Sequence, residues 1–445
     1  MYDTVAQYGQ LLSGEVDDWH PPLMVRLWEL LHPFGSGAAP MFLIQVALYA
    51  LGFATMVATL VRIDRWRGAI ATTLIALSPL LLGWQMVVLK DAQMLGALVA
   101  AVGIVAHYRL TGRRIGIWAA AIAGLLLIYA TLLRANALFA TVPLAVMLLP
   151  RPKSVGGKSA LAAGALIALI AATPFINQRL LGAEPSGVAK SEPLFDLAAI
   201  AIATPASVMP FTPAQAAQLS SRHCVKAFFW DPVADPSSCG PVTQAANALP
   251  ERTLYFDLAA AAAAHPWAYA AHRLEHWNST ERWLVPPGLI EAGPPDESEP
   301  NGLGLASPRS LVVQAWQNVA GDEAATPLGW PILWTAIALV LLPVAWKRRG
   351  EQAGSLALSL LVSVLTLEAS FLLVSISSDL RYHLWPMTAS ALALILSSEG
   401  LRITRRMSIV AGLALGLTIG GGIVARASLP AAPDSYQKMI HAPSG

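Results

Sequence analysis

RRIGIWAAAIAGLLLIYATLLRANALFATVPLAVMLLPRPK, residues 113–153, consists of two apolar runs, 115–133 and 136–150, divided by one charge at Arg134 and bounded by cations at both ends. About 20 apolar residues at 1.5 Å rise reach across the roughly 30 Å hydrocarbon core of a bilayer. The link Arg134-Ala135 is too short for anything but a tight hairpin. Two membrane crossings are therefore expected here, and the fold turns on whether the pattern continues in both directions.

It does. Apolar runs lie at about 39–61, 69–89, 92–109, 115–133, 136–150, 159–177, 328–346, 353–375, 382–398 and 407–427, and a second tight hairpin is expected at Lys90-Asp91. Of the 445 residues 55% are apolar and only 13% charged, about half the charged fraction of a soluble domain. These proportions exclude disorder and an ordinary cytosolic enzyme. They predict an all-α polytopic membrane protein with about ten transmembrane helices.

The alternate loops are basic, with Arg62, Arg65 and Arg67, then Arg109, Arg113 and Arg114, then Arg151, Lys153 and Lys158, then Lys347, Arg348 and Arg349, then Arg402, Arg405 and Arg406. Against these fifteen cations stand three acids, Asp64, Glu351 and Glu399, whereas the rest of the chain has fourteen cations and twenty-four acids. The net charge of +2 thus conceals two opposed populations. Short loops rich in Lys and Arg stay in the cytoplasm, so both termini and the long 178–327 segment are expected outside.

The organisation follows. Residues 1–38 form a first outer loop with a juxtamembrane helix, 39–177 six spans, 178–327 an outer loop domain of short helices, 328–427 four spans and 428–445 an outer tail. No export signal opens the chain, so an outer Met1 is expected to follow a span encoded upstream. Cys224 and Cys239, the only cysteines, both fall in the outer segment. They read as a disulfide closing a loop in an oxidising compartment, or as two unrelated thiols. Asp257–Trp277 is expected to be a helix interrupted at His265-Pro266, its aromatics suited to the membrane interface. Leu194–Met209 is expected to be a second interfacial helix. His272 and His276 share a helix face, which suits lipid headgroups or, alternatively, a metal.

No nucleotide-binding loop, CxxC pair or HExxH helix is present, so an enzyme of this sequence works without a soluble nucleotide domain or a dedicated zinc site. No nucleic-acid partner is expected. Polar clusters gather instead at the expected outer face. Asp3, Glu15, Asp17, Asp18 and His20, the last before Pro21-Pro22, form the first. It reads either as a solvated acidic loop or as a site where a carboxylate takes a proton from a hydroxyl or holds a divalent cation. Lys90-Asp91 is a self-neutralising anchor or part of a site. Asp379-Leu380-Arg381-Tyr382-His383 offers a guanidinium beside a phenol and an imidazole, which suits phosphate or an interfacial anchor. Arg134 with Asn136 takes the same two readings, leaning to the anchor. Glu368, inside the span 353–375, is expected to pair with Arg381 or Arg134, since an unpaired carboxylate there is costly.

Asp3, the Ser13-Gly14 stretch and His20-Pro21-Pro22-Leu23, followed by Val88-Leu89-Lys90-Asp91 and Arg381-Tyr382, resemble the membrane-embedded glycosyltransferases of the GT-C class. That class includes the protein O-mannosyltransferases of glycosyltransferase family 39 and the lipid A aminoarabinose transferases. The resemblance implies transfer of a sugar from a polyprenyl-phosphate donor to an acceptor outside the cytoplasmic membrane. Asp3, Asp17 or Asp18 would act as general base, and Asp91 would orient the acceptor or the cations. Lys90, Arg381 and His20 would meet the leaving phosphate, with Arg134, Glu368, Tyr382 and His383 around it. No cofactor is implied beyond a divalent cation. The chain departs from the class twice: it begins at the first loop, without the preceding span and acidic pair, and it carries His20 where relatives often have Lys. The rival expectation is a transporter or flippase of a lipid-linked or anionic solute, suggested by Glu368 and the outer cations.

Overall fold

The computed structural model describes residues 2–150, 152, 154–204, 207–305, 310–398 and 404–442. Arg151, Lys153, Glu399 and Arg402, which belong to the basic-loop pattern, lie outside the described residues. Within the described residues the regular structure is all helical, with isolated β-bridges but no strand.

Five described helices are long and apolar enough to cross a bilayer: Ala39–Arg62, Lys90–Leu110, Val155–Leu180, Gln352–Val374 and Arg405–Ser428. A bent pair, Trp66–Ala76 and Pro79–Gln85, would make a sixth. Ile117–Leu133, Leu138–Leu148 and Pro331–Lys347 are shorter apolar helices. Several of these elements turn large apolar side chains outward: Trp118 is 80% exposed and Ile167 69%. Contiguous apolar surface of this kind is not tolerated by water. It marks a membrane protein.

The sequence reading of 69–89 as one continuous span is corrected. The helix stops at Ala76, restarts at Pro79 with a 53° bend, and ends at Gln85. Pro79 cannot donate to the preceding turn, and Ser78 caps the new helix by accepting from the Leu81 N–H. Lys90 and Asp91 are then not a hairpin link but the first residues of the next helix, Lys90–Leu110.

Contact clustering divides the chain into two compact units. The first comprises Met1–Pro185, Ala292–Glu368 and Arg381–Ile419, the second Ser186–Glu291, Ala369–Leu380 and Gly420–Gly445. The expected 178–327 segment is therefore shared. Helix Leu311–Ala325 belongs to the first unit, where Gln317 Nε2 donates to the Gly83 carbonyl (3.1 Å) and the Leu80 N–H donates to Glu323 (2.9 Å).

At the centre of the first unit, Lys90–Leu110 is buried without interruption from Lys90 to Gly103 and lies against Ala39–Arg62. Glycines permit the approach. A Cβ on Gly103 would fall 2.7 Å from the Gly52 carbonyl oxygen, and one on Gly52 would fall 2.5 Å from the Ala100 nitrogen. Where lipid offers no hydrophobic drive between helices, close backbone contact through small residues supplies the attraction.

The second unit has its own core around helix Ser191–Ala203, whose Phe195, Leu197, Ala198 and Ile200 are buried against Leu254, Leu258 and Val242. The expectation of an interfacial helix over Leu194–Met209 is thus corrected: the helix spans Ser191–Ala203 and its side chains from Pro193 to Ala201 are buried in this unit. The break at His265-Pro266 is present, between Glu251–Ala264 and Pro266–Thr280. Cys224 and Cys239 are at bonding distance, S–S 2.08 Å.

His272 and His276 face inward, not toward headgroups. His272 Nε2 and Arg273 Nη1 both lie 3.0 Å from Asp196 Oδ1, and Arg273 also donates to the Leu372 and Ser375 carbonyls. His276 Nδ1 donates to the Ala227 carbonyl at 2.7 Å, and burial, helped by Arg273, pushes its pKa down to about 3. Asp196 is fully buried. Asp196→Ala strands a buried guanidinium and should destabilise this unit by about 3–5 kcal/mol. Limited proteolysis of the 186–291 region checks this, and unchanged resistance would show that the ion pair is dispensable.

Candidate functional site

The chain between Gln85 and Lys90 is irregular, and its backbone groups need partners in an apolar setting. One side chain supplies three of them. Gln45 Nε2 donates to the Gln85 and Val87 carbonyls, both at 2.9 Å, and Gln45 Oε1 accepts from the Leu89 N–H at 3.2 Å. Thr4 Oγ1 donates to the Val88 carbonyl at 2.6 Å. With its partners fixed, the extended residue Leu89 delivers Lys90 and Asp91 at a helix start in a defined orientation.

Four other stretches meet that start. Helix Tyr2–Ser13 brings Asp3, and its Tyr8 packs on Trp28 of helix Leu23–Leu31, with ring centroids 5.1 Å apart. Pro21-Pro22 stiffens the entry to that second helix and holds His20 in place. Arg134 follows the end of Ile117–Leu133, and the 3-10 turn Leu380–His383 brings Arg381 and Tyr382.

The result is one buried polar cluster. Asp3 Oδ2 lies 3.2 Å from Lys90 Nζ and 3.3 Å from Arg381 Nη1, while Asp3 Oδ1 lies 3.7 Å from His20 Nε2. Lys90 Nζ donates to His20 Nδ1 at 2.5 Å. Asp91 is ion-paired with Arg134, and its other oxygen lies 3.8 Å from Arg381 Nε. The Arg134 guanidinium also stacks 3.9 Å from the Tyr382 ring centroid and donates to Asn136 Oδ1 at 3.0 Å. Arg134, read from sequence as leaning to an anchor, is a full member of the cluster.

Three fixed cations, Lys90, Arg134 and Arg381, thus face two carboxylates, Asp3 and Asp91. His20 adds no charge: burial, then Lys90, push its pKa down to about 3. It serves instead as a neutral acceptor for Lys90. Burial by itself would raise the Asp3 carboxyl, but Lys90 and Arg381 outweigh it and hold the group well below the usual carboxylate range. Chemically, the cluster can grip an anion through paired cations and presents a carboxylate at the same point.

Not every candidate converges here. Asp17 accepts from the Trp19 N–H at 3.0 Å, and Asp18 accepts from Gln178 Nε2 at 3.2 Å while its N–H donates to the Glu184 carbonyl. Both residues are engaged in holding the loop against the 178–184 segment. Glu368, expected to pair with Arg381 or Arg134, pairs with His383, Oε1 to Nδ1 at 2.9 Å, both side chains being buried. The 3-10 turn Leu380–His383 carries both Arg381 and His383. Glu368→Gln should destabilise the fold by about 1–3 kcal/mol, the scale of one disturbed buried hydrogen bond to a charged group, by loosening the turn that carries Arg381. An unchanged melting temperature would show that the contact is dispensable.

Among the described residues, no group of three or more His, Cys, Asp or Glu side chains is placed to hold a metal ion. The carboxylates that would meet a divalent cation, Asp3 and Asp91, face ammonium and guanidinium groups, which is a poor fit for one. Sequence reasoning missed Gln45 and Thr4, which orient the Lys90 turn. The signal for Gln45 was there, as an uncharged but strongly polar amide inside an apolar run. Comparison with known proteins gives no match to a family model, a curated protein or a solved structure.

Proposed function

We propose that this protein is a membrane-embedded glycosyltransferase of GT-C type. It takes a sugar from a polyprenyl-phosphate carrier and moves it to an acceptor hydroxyl at the outer face of the cytoplasmic membrane. The chain crosses that membrane about ten times in this reading, with the basic loops inside and the polar cluster outside. The observation that carries it is the meeting of Asp3, Lys90, Asp91, Arg134 and Arg381, from separate stretches, in one buried cluster.

The chemistry fits that arrangement. A lipid carrier keeps its tail in the bilayer and offers only its phosphate-linked sugar, so no nucleotide domain is needed. The acceptor oxygen forms its bond to the sugar carbon as the bond from that carbon to the phosphate oxygen breaks. The bonding pair leaves on the phosphate, where Lys90 and Arg381 meet the growing charge, and the acceptor proton goes to Asp3. Asp91 holds Arg134 and Arg381 in register.

The test is an assay in proteoliposomes with a radiolabelled polyprenyl-phosphate sugar and a membrane extract as acceptor. Glycoside product is expected from the wild-type protein and none from Asp3→Asn. Movement of labelled carrier across the bilayer with no glycoside formed would replace this reading with a transporter or flippase.

A further inference from the structure

Asp3 stands where a phosphate oxygen would be expected. Its Oδ2 is 3.2 Å from the Lys90 ammonium and 3.3 Å from an Arg381 guanidinium nitrogen, the distances at which an anion oxygen bridges two cations. Arg134 is already engaged by Asp91 and by the Tyr382 ring. Without a ligand, the two cations offered to the phosphate are therefore answered from within the chain, which spares the centre the cost of buried cations with no anion.

We infer that Asp3 is an internal stand-in for the anionic headgroup: a phosphate entering between Lys90 and Arg381 displaces its carboxylate and so releases it to accept the acceptor proton. The inference rests on the transferase reading of the cluster. A carboxylate pinned by an ammonium and a guanidinium is a weak base. Once phosphate takes over those cations, the carboxylate regains ordinary basicity. The donor must then bind before the acceptor hydroxyl is activated, which keeps the base silent in a protein that holds no donor.

Calorimetric titration of the full-length protein in detergent with dodecyl phosphate, and separately with inorganic phosphate, tests this. Asp3→Asn removes the competitor and should bind dodecyl phosphate at least about tenfold more tightly than the wild type, since a self-occupied site lowers apparent affinity by its closed fraction. Asp3→Glu, which keeps a competing carboxylate, should stay near the wild-type value. Asp3→Ser serves the same comparison if the amide disturbs folding. Tightening with dodecyl phosphate alone assigns the site to a lipid headgroup, and tightening with both probes assigns it to phosphate itself. Unchanged or weaker binding by Asp3→Asn, alongside loss of binding by Arg381→Ala, would overturn the stand-in while leaving the anion site intact. Equal binding by Arg381→Ala and wild type would overturn both.

Discussion

Arg381→Ala should, under the transferase proposal, reduce sugar transfer from a polyprenyl-phosphate donor by two to three orders of magnitude. The estimate follows from the cost of removing one preorganised donor to developing negative charge, roughly 3–4 kcal/mol. Arg381 also touches both carboxylates of the cluster, so its loss takes one cation from each of Asp3 and Asp91, and Arg381→Lys should recover only part of the rate. A lysine carries the charge but cannot bridge Asp3 and Asp91 as a planar guanidinium does. Single-turnover transfer in proteoliposomes, with expression and melting temperature matched, decides the matter. Full activity in Arg381→Ala would remove the transferase assignment.

Gly103→Leu should prevent the protein from folding to a stable form. Overpacking a core commonly costs about 1–3 kcal/mol, because side chains can rotate aside. Here the obstacle is backbone, the Gly52 carbonyl 2.7 Å from where the new Cβ would stand, so relief requires parting two central helices. Gly124→Leu is the matched control, since nothing lies within 4 Å of a Cβ there. Melting curves of the two purified variants in detergent should differ widely. A wild-type transition for Gly103→Leu would mean that the helices do not meet at these glycines.

The apolar character of the fold was legible because bilayer thickness imposes a length on each run and lipid imposes a composition. The interruption at Ser78-Pro79 was legible too, in principle, from the proline. It went unread because apolar residues on both sides, Leu74 to Leu77 and Leu80 to Leu82, keep hydropathy high through the bend. Most of the site was visible: Lys90, Asp91, Arg134 and Arg381 stood out as charges at the ends of apolar runs and Asp3 as an acid of the first outer loop, and proximity in space is what sequence could not supply. The contact of Glu368 with His383 depended on a single turn of 3-10 helix, which the charge pattern does not announce. The 186–291 region misled for a different reason. Its helices are as apolar as interfacial ones, and only a folded core tells burial in protein from burial in lipid.

Gln45 has a consequence for anyone hoping to rebuild this centre elsewhere. Its amide, on a neighbouring helix, answers three backbone groups of the 85–89 link at once. A transplant of the charged residues into another bundle would arrive with that link unsupported and the lysine aimed at random. The smallest portable piece therefore includes the Ala39–Arg62 helix along with the loops, and it is held together by an uncharged side chain that takes no part in the chemistry.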